Sequence, residues 1–207
     1  MSETNPNARL EIFCDGVFAI ALTLLIIDIK IPATAEINST PALWHALKNI
    51  VPSILAFILS FAIILITWVN HHNAFKLASK SSPAFIYANG LLLLSVVFIP
   101  FPTSLIGEYI LTDHAAPAVF LYNVVLIVQS LGWALICNAG LKGNLSNGEK
   151  AIREVRKNRR YAYFSVLGYS ILAILSVWFP VYVVIFTVLL WVLWLIVGIN
   201  LERNVRS

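Results

Sequence analysis

Charged residues are scarce in this chain of 207 residues. Aspartate, glutamate, lysine and arginine make up 12% of it, whereas hydrophobic residues make up 59%. Soluble domains have about 25% charged and about 45–50% apolar residues. The shortage of charge therefore excludes an ordinary soluble domain and predicts an all-α integral membrane protein.

Cysteine and the usual catalytic motifs are also scarce. Cys14 and Cys137 both lie inside apolar runs, which argues against a disulfide framework or a zinc site. The sequence has no HExxH, P-loop, GxSxG or GxGxxG pattern. His71 and His72 are adjacent, and neighbouring side chains on a helix do not face each other, so the pair is poorly placed to hold one metal ion. These absences favour a protein that is not an enzyme and has no cofactor or metal.

Long apolar runs predict six transmembrane helices, because a crossing needs about 20 apolar residues. A single membrane domain would then cover residues 1–207. The predicted spans are Ile12–Ile31, Ile50–Val69, Pro83–Leu105, Val119–Leu141, Tyr161–Trp178 and Val181–Ile199. The last two are separated at Pro180, because their combined length is too great for one crossing and proline favours a turn. Pro100 and Pro102 are expected to kink or end the third span.

Basic residues are distributed unevenly between the two sides of this arrangement. All but Lys30 and Lys48 of the 14 lysines and arginines fall on the side of the two termini. The positive-inside rule then predicts a multi-pass protein of the cell membrane with both termini cytoplasmic. The basic cytoplasmic loop 142–160 is interpreted as a topology determinant that contacts lipid headgroups. It is short and lacks aromatic residues before Tyr161, so we expect no nucleic-acid partner.

The first span, RLEIFCDGVFAIALTLLIIDIKIP, has two different faces. On a helical wheel of about 100° per residue, Ile20, Thr23 and Ile27 share one face, with Leu24 at its edge. Asp15 lies about 120° or more away from Ile20 and Ile27. The carboxylate and the aliphatic stripe therefore face different neighbours.

A carboxylate inside a membrane is costly, so Asp15 is expected to have a partner. Trp68, His71 and His72 of the second span carry N–H donors suited to a carboxylate. We predict a buried polar cluster near the cytoplasmic end, formed by Asp15 with Trp68, His71 or His72, and joined by Arg9. The alternative is that these side chains only reach towards the membrane interface.

Three motifs resemble the transmembrane protein 175 family, a family of lysosomal and bacterial potassium channels. RLEIFCDG resembles the RxxxFSDG signature of the family's first helix, with Cys14 where the family usually has serine. Trp68-x-x-His71-His72-x-x-Phe75 fits the second helix, and FIPFPTSLIGEY fits the end of the third. The resemblance extends over the whole six-span layout.

This resemblance implies a homotetramer in which the first helices line a central pore. It implies an apolar constriction at the positions matching Ile20, Thr23 or Leu24, and Ile27. A narrow hydrophobic ring can stop ions by dewetting, so it would serve as both gate and filter. Potassium and other monovalent cations would permeate passively, and the partners would be further copies of the chain and the lipid bilayer. Asp28, near the outer end of the first helix, would either concentrate cations at the pore mouth or be an ordinary solvated charge.

Two other classes of function stay open from the residues. Asp15, His71 and His72 suggest a proton relay in a proton-coupled secondary transporter. The histidine pair also allows an integral-membrane enzyme. Reconstituted flux distinguishes a channel from a carrier, because a channel gives unitary currents whereas a carrier gives saturable, coupled flux.

Overall fold

All regular structure in the described part of the chain is helical, which confirms the all-α prediction. The computed structural model describes residues 7–30, 32–33, 37–145 and 148–206, with the side chains of residues 28, 197, 198 and 200–206 left out. The α-helices are α1 (Ala8–Leu24), α2 (Thr40–Asn49), α3 (Val51–Phe75), α4 (Pro83–Phe98), α5 (Pro100–Tyr109), α6 (Ala115–Lys142), α7 (Glu149–Leu175) and α8 (Pro180–Arg206). A 3₁₀ helix at Leu25–Asp28 follows α1 directly.

Four helical segments within these described ranges are long and apolar enough to cross a membrane. They are Ala8–Ile27, Val51–Phe75, Pro83–Tyr109 and Ala115–Lys142. Pro180–Ile196 is a shorter apolar helix. The coarse prediction of a membrane protein with several apolar helices is therefore confirmed, whereas a count of six crossings goes beyond these four segments.

Helix α2 is absent from the predicted spans. Ser39 is the N-cap of α2, and its hydroxyl accepts a hydrogen bond from the Ala42 backbone N–H at 3.3 Å. A proline lies in the first turn of the helix. The helix has ten residues and no buried side chain. It is too short to cross a bilayer, which is why a search for long apolar runs missed it.

The third apolar run breaks at Ile99. Helix α4 ends at Phe98 and α5 begins at Pro100, where the two prolines were expected to kink or end the helix. The backbone N–H of Ile99 donates to the Val96 carbonyl, three residues back, at 3.3 Å, which is the hydrogen-bond pattern of a 3₁₀ turn. The Thr103 hydroxyl then donates to the Ile99 carbonyl at 2.8 Å, so the break is closed by local hydrogen bonds.

The predicted basic loop at 142–160 needs a correction, because α7 already begins at Glu149. Arg153 lies 3.6 Å from Glu149 at i,i+4 spacing. Arginine, lysine and glutamate are good helix formers, and such pairs add support on an exposed helix surface. Most of the basic segment is therefore the first turns of a long helix rather than an irregular connection.

Helix α6 is central to the bundle and packs against α4, α5, α7 and α8. At one end, the Asn7 amide donates to the Ala78 carbonyl at 2.9 Å, and the Ser79 N–H donates to the Leu145 carbonyl at 2.8 Å. These bonds bring the start of α1, the α3–α4 connection and the α6–α7 connection together. At the other end, Lys30 forms an ion pair with Glu108.

Candidate functional site

Helix α1 presents one face to the bundle and another to the outside of the protomer. The buried side chains Cys14, Phe18, Ala21 and Leu25 recur at i, i+4, i+7 and i+11, the pattern of a single helical stripe. On the other face, Ile20 is 58% exposed. No other described part of the chain therefore covers this large aliphatic side chain in the middle of the apolar helix.

The rest of the predicted pore-lining set is exposed as well. Thr23 is exposed, Leu24 is 40% exposed and Ile27 is 70% exposed. The α-helical wheel does not hold for Ile27, however, because α1 ends at Leu24 and Ile27 lies in the 3₁₀ helix. Side chains three residues apart nearly eclipse in a 3₁₀ helix, so Ile27 lies above Leu24 rather than above Thr23. The chain tightens here because the N–H of Ile29 bonds to the carbonyl of Ile26, three residues back, at 3.2 Å.

The Thr23 hydroxyl has a defined orientation on this exposed face. Its Oγ1 donates to the Ile20 carbonyl at 2.9 Å. The hydroxyl hydrogen is therefore used within the helix, and the oxygen lone pairs stay available to a group outside. Such an oxygen suits a cation or its hydration water.

Asp15 lies on the side of α1 that faces α3, where it has a specific partner. The indole Nε1 of Trp68 donates to its Oδ1 at 2.8 Å. Nearby, Nδ1 of His72 lies 3.2 Å from Oε1 of Glu11, and the His72 ring stacks on the Trp68 ring with centroids 6.2 Å apart. The structure thus brings Asp15, Trp68 and His72 into one polar seam between α1 and α3.

His71 is separate from this seam. Its side chain is 1% exposed, and its Nε2 lies 2.9 Å from Oδ1 of Asn89 on α4. The Asn89 amide nitrogen donates to the Phe85 carbonyl, so Oδ1 is the acceptor and His71 carries its proton on Nε2. Nδ1 has no hydrogen-bond partner among the described residues. His71 is therefore a donor to Asn89, and no hydrogen bond or ion pair among the described residues links it to the Asp15 carboxylate.

The other predicted site residues do not join the seam. Arg9 is exposed, and no hydrogen bond in the described ranges links it to Asp15. The Asp28 side chain lies outside the described residues, so its predicted place at the pore mouth stays a prediction. Cys14 is fully buried on the face of α1 that packs into the bundle.

Sequence reasoning missed Glu11 and Asn89. Glu11 precedes Asp15 by four residues, and His72 follows Trp68 by four. On two neighbouring helices that run in opposite directions, this matched spacing places the two donor–acceptor pairs one turn apart. The matched i,i+4 spacing was the available signal for Glu11, whereas Asn89 had none because its single contact with His71 has no matching pair one turn away.

A sequence profile of the family described as "Endosomal/lysosomal potassium channel TMEM175" matches residues 9–100. A potassium channel from Chamaesiphon minutus is 38% identical over 183 residues, which cover 86% of this chain and 90% of that protein. This chain belongs to the TMEM175 family. The resemblance noted from its motifs is thereby confirmed.

Further similarities extend over nearly the whole chain. A potassium channel from Streptomyces collinus is 37% identical over 169 residues, or 81% of each protein. The crystal structure of a lysosomal potassium-selective channel TMEM175 homolog from Chamaesiphon minutus covers 99% of this chain and 100% of its own, with a TM-score of 0.73 and 32% identity. These names describe TMEM175 relatives that are channels rather than enzymes, in agreement with the non-enzymatic class predicted from the sequence.

Proposed function

We propose that this chain is the subunit of a potassium-selective cation channel in which four copies surround a central pore lined by α1. Membership of the TMEM175 family and the potassium channels among its relatives support this function. The permeant ion is potassium, other monovalent cations pass less readily, and no cofactor takes part. The partners are three further copies of the chain and the surrounding bilayer.

The observation that carries the proposal is the exposed face of α1 at Ile20. The bond between Asp15 and Trp68 fixes the rotation of α1 against α3. Ile20 follows Asp15 by five residues, which turns it about 140° away from that bond. The side chain therefore faces away from the helices of its own protomer, where neighbouring copies would complete a ring.

A ring of Ile20 side chains offers no oxygen ligands to an ion. Such a constriction acts by dewetting when it is narrow and passes partly hydrated ions when it widens. Potassium loses its hydration water at lower cost than sodium, so it is favoured without a carbonyl filter. The outward lone pairs of Thr23, one turn along, hold a hydrated ion next to the ring. This scheme gives weaker discrimination than a cage of carbonyl oxygens.

The six-crossing topology belongs to the same proposal. α7 and α8 supply the fifth and sixth crossings, and α2 lies at the membrane surface on the outer side. Hydrogen bonds tie Asn7, Ser79 and Leu145 at one end of the bundle, next to the basic residues of the same segments. That end is cytoplasmic by the positive-inside rule, and the protein resides in the cell membrane.

The alternative of a proton-coupled transporter has less support. A relay through Asp15, His71 and His72 requires hydrogen bonds that connect the three side chains. Instead, Asp15 accepts from Trp68, His71 contacts Asn89, and His72 contacts Glu11. These separate pairings favour a structural role for the three residues.

The decisive measurement is the bi-ionic reversal potential of purified protein reconstituted in a planar bilayer. We expect unitary currents that reverse near the potassium equilibrium potential. Saturable flux without unitary currents would contradict the proposal. So would a reversal potential that does not change with the potassium gradient.

Cysteine modification tests the pore-lining face separately. Currents through an Ile20→Cys variant should fall when a charged, membrane-impermeant thiol reagent is added, because the site faces water. Both native cysteines are buried, so the unmodified chain gives the background. Ile171→Cys on α7, a helix that packs against α6 and α8, is the matched control for an exposed isoleucine. Equal block of both variants would reject the assignment of α1 to the pore.

A further inference from the structure

A polar cavity lies between the end of α6 and the first turns of α7, away from the face of α1. Its volume is about 430 Å³. It is lined by Gly140, Leu141, Asn144, Ile152, Arg156 and Arg159. Both charged residues among these are arginines, so the cavity combines concentrated positive charge with room for a ligand.

The two arginines are not needed as hydrogen-bond donors to the backbone carbonyls at the C-terminal end of α6. The carbonyls of Ala139 and Gly140 accept backbone hydrogen bonds from Gly143 and Leu145, at 2.9 and 3.0 Å. Arg159 contacts Asn138 at 3.4 Å, and Arg156 has no ion-pair partner among the described residues. Their guanidinium groups therefore stay available to an anion.

Both acidic side chains in the first turns of α7 lie next to basic residues outside the cavity. Glu149 lies against Arg153, and Glu154 lies 3.9 Å from Lys157. The nearest acidic side chains along α7 thus pair with residues that do not line the cavity. The segment as a whole keeps a positive surplus, and Arg156 and Arg159 are the two of its charges that line the cavity.

The surface below the cavity has the character of a lipid site. Asn138 on α6 donates to the hydroxyl of Tyr163 on α7 at 3.0 Å, and tyrosine is typical of the membrane–water interface. One turn further into the apolar part of both helices, Leu135 and Leu167 are exposed. An amphiphile with an anionic head and apolar tails matches this order of arginine, tyrosine and leucine.

We propose that the α6–α7 cavity binds the phosphate of an anionic phospholipid, with the acyl chains lying along Leu135 and Leu167. Arginine presents paired N–H donors that match the oxygens of a phosphate. Basic residues beside a membrane attract anionic lipid in the same way. The site is distinct from the proposed pore, and its test does not depend on conduction.

Native mass spectrometry of the detergent-purified protein tests the site, with phosphatidylglycerol and phosphatidylcholine as the probes. We expect phosphatidylglycerol to bind with clear preference. The Arg156→Gln/Arg159→Gln variant should weaken its binding about 30-fold, since each basic residue near an anionic surface contributes about fivefold. Arg160→Gln, the same charge change on an exposed neighbour outside the cavity, should keep most of the binding. Equal affinity for the two lipids, or an equal loss in Arg160→Gln, would overturn the proposal.

A competition experiment and a single variant complete the test. Soluble glycerol 1-phosphate, added at the same concentration, should not displace the lipid, because it lacks the acyl chains that lie on the leucines. Displacement would identify a site for free phosphate and overturn the lipid assignment. Should the double variant fail to fold, Arg156→Gln alone is expected to weaken binding about fivefold, and unchanged binding would overturn the proposal.

Discussion

Trp68 and Asp15 join α3 to α1 through an indole N–H that donates to a carboxylate oxygen at 2.8 Å. One turn away, His72 contacts Glu11 and stacks on the Trp68 ring. A carboxylate in an apolar helix is costly without a donor, and this seam supplies one to each of the two acids. The seam and the buried stripe of α1 lie on the faces that contact the bundle, and together they leave the face with Ile20 at its surface.

The first prediction concerns the donor in this seam. Trp68→Phe keeps an aromatic ring next to His72 but removes the N–H that Asp15 accepts. Because hydrogen bonds to charged groups contribute about 1.5–3 kcal/mol, we expect the free energy of unfolding to fall by about that amount. Thermal unfolding of the detergent-purified protein measures the change. Trp178→Phe, at an exposed position, is the control, and equal melting temperatures for the two variants would count against a structural role for the seam.

The second prediction concerns the proposed constriction. Ile20→Asn places a polar amide in the apolar ring, which lowers the cost of wetting the pore. We expect a larger single-channel conductance and weaker discrimination between potassium and sodium. The measurement is the unitary current with the bi-ionic reversal potential in planar bilayers.

Ile171→Asn on α7 controls for a polar residue placed at an exposed apolar position. Channels of this variant that assemble should have the same single-channel conductance as the unmodified protein. Unchanged currents in Ile20→Asn would remove Ile20 from the constriction.

The third prediction separates the structural role of His71 from a proton relay. Asn89→Ala removes the acceptor of His71, which leaves a buried N–H without a partner. Stability should fall by about 1–3 kcal/mol, while the conductance of channels that still assemble stays the same. Asn49→Ala, at an exposed amide, is the stability control. Normal stability together with lost conduction would indicate that the histidine acts in permeation.

The fourth prediction concerns the contact between α3 and α5. A Cβ at Gly107 would lie 2.7 Å from the Cα of Ser53, so Gly107→Ala requires the two helices to move apart. Overpacking of this kind costs about 1–3 kcal/mol, which exceeds the gain of about 0.5–1 kcal/mol from replacing glycine by alanine in a helix. Thermal melting should show a loss of stability.

Gly90→Ala on α4 is the matched control, because a Cβ there meets no atom within 4 Å. We expect this variant to be as stable as the unmodified protein or slightly more stable. A tolerated Gly107→Ala would show that the α3–α5 contact is looser than its geometry implies.

The features that could be predicted from sequence depend on local patterns. The long apolar runs predicted a helical membrane protein, and the RLEIFCDG motif indicated the family. The exposed residues Ile20 and Thr23 follow α-helical periodicity, so the wheel identified their shared face. Ile27 is exposed as expected, but the α-helical wheel does not give its angle, because the change from α to 3₁₀ geometry depends on backbone hydrogen bonds that composition does not reveal. Helix α2 was missed because it is too short for a search based on membrane thickness.

The sequence by itself determined the membrane class, the family and the need of Asp15 for a donor, because each depends on composition or on spacing along one helix. The tertiary structure decided which donor Asp15 uses, that His71 binds Asn89 instead, and that Arg156 and Arg159 share a cavity. Those outcomes depend on how separate helices approach and rotate against one another. Contacts between residues far apart in the chain fix that arrangement, and no local pattern specifies it.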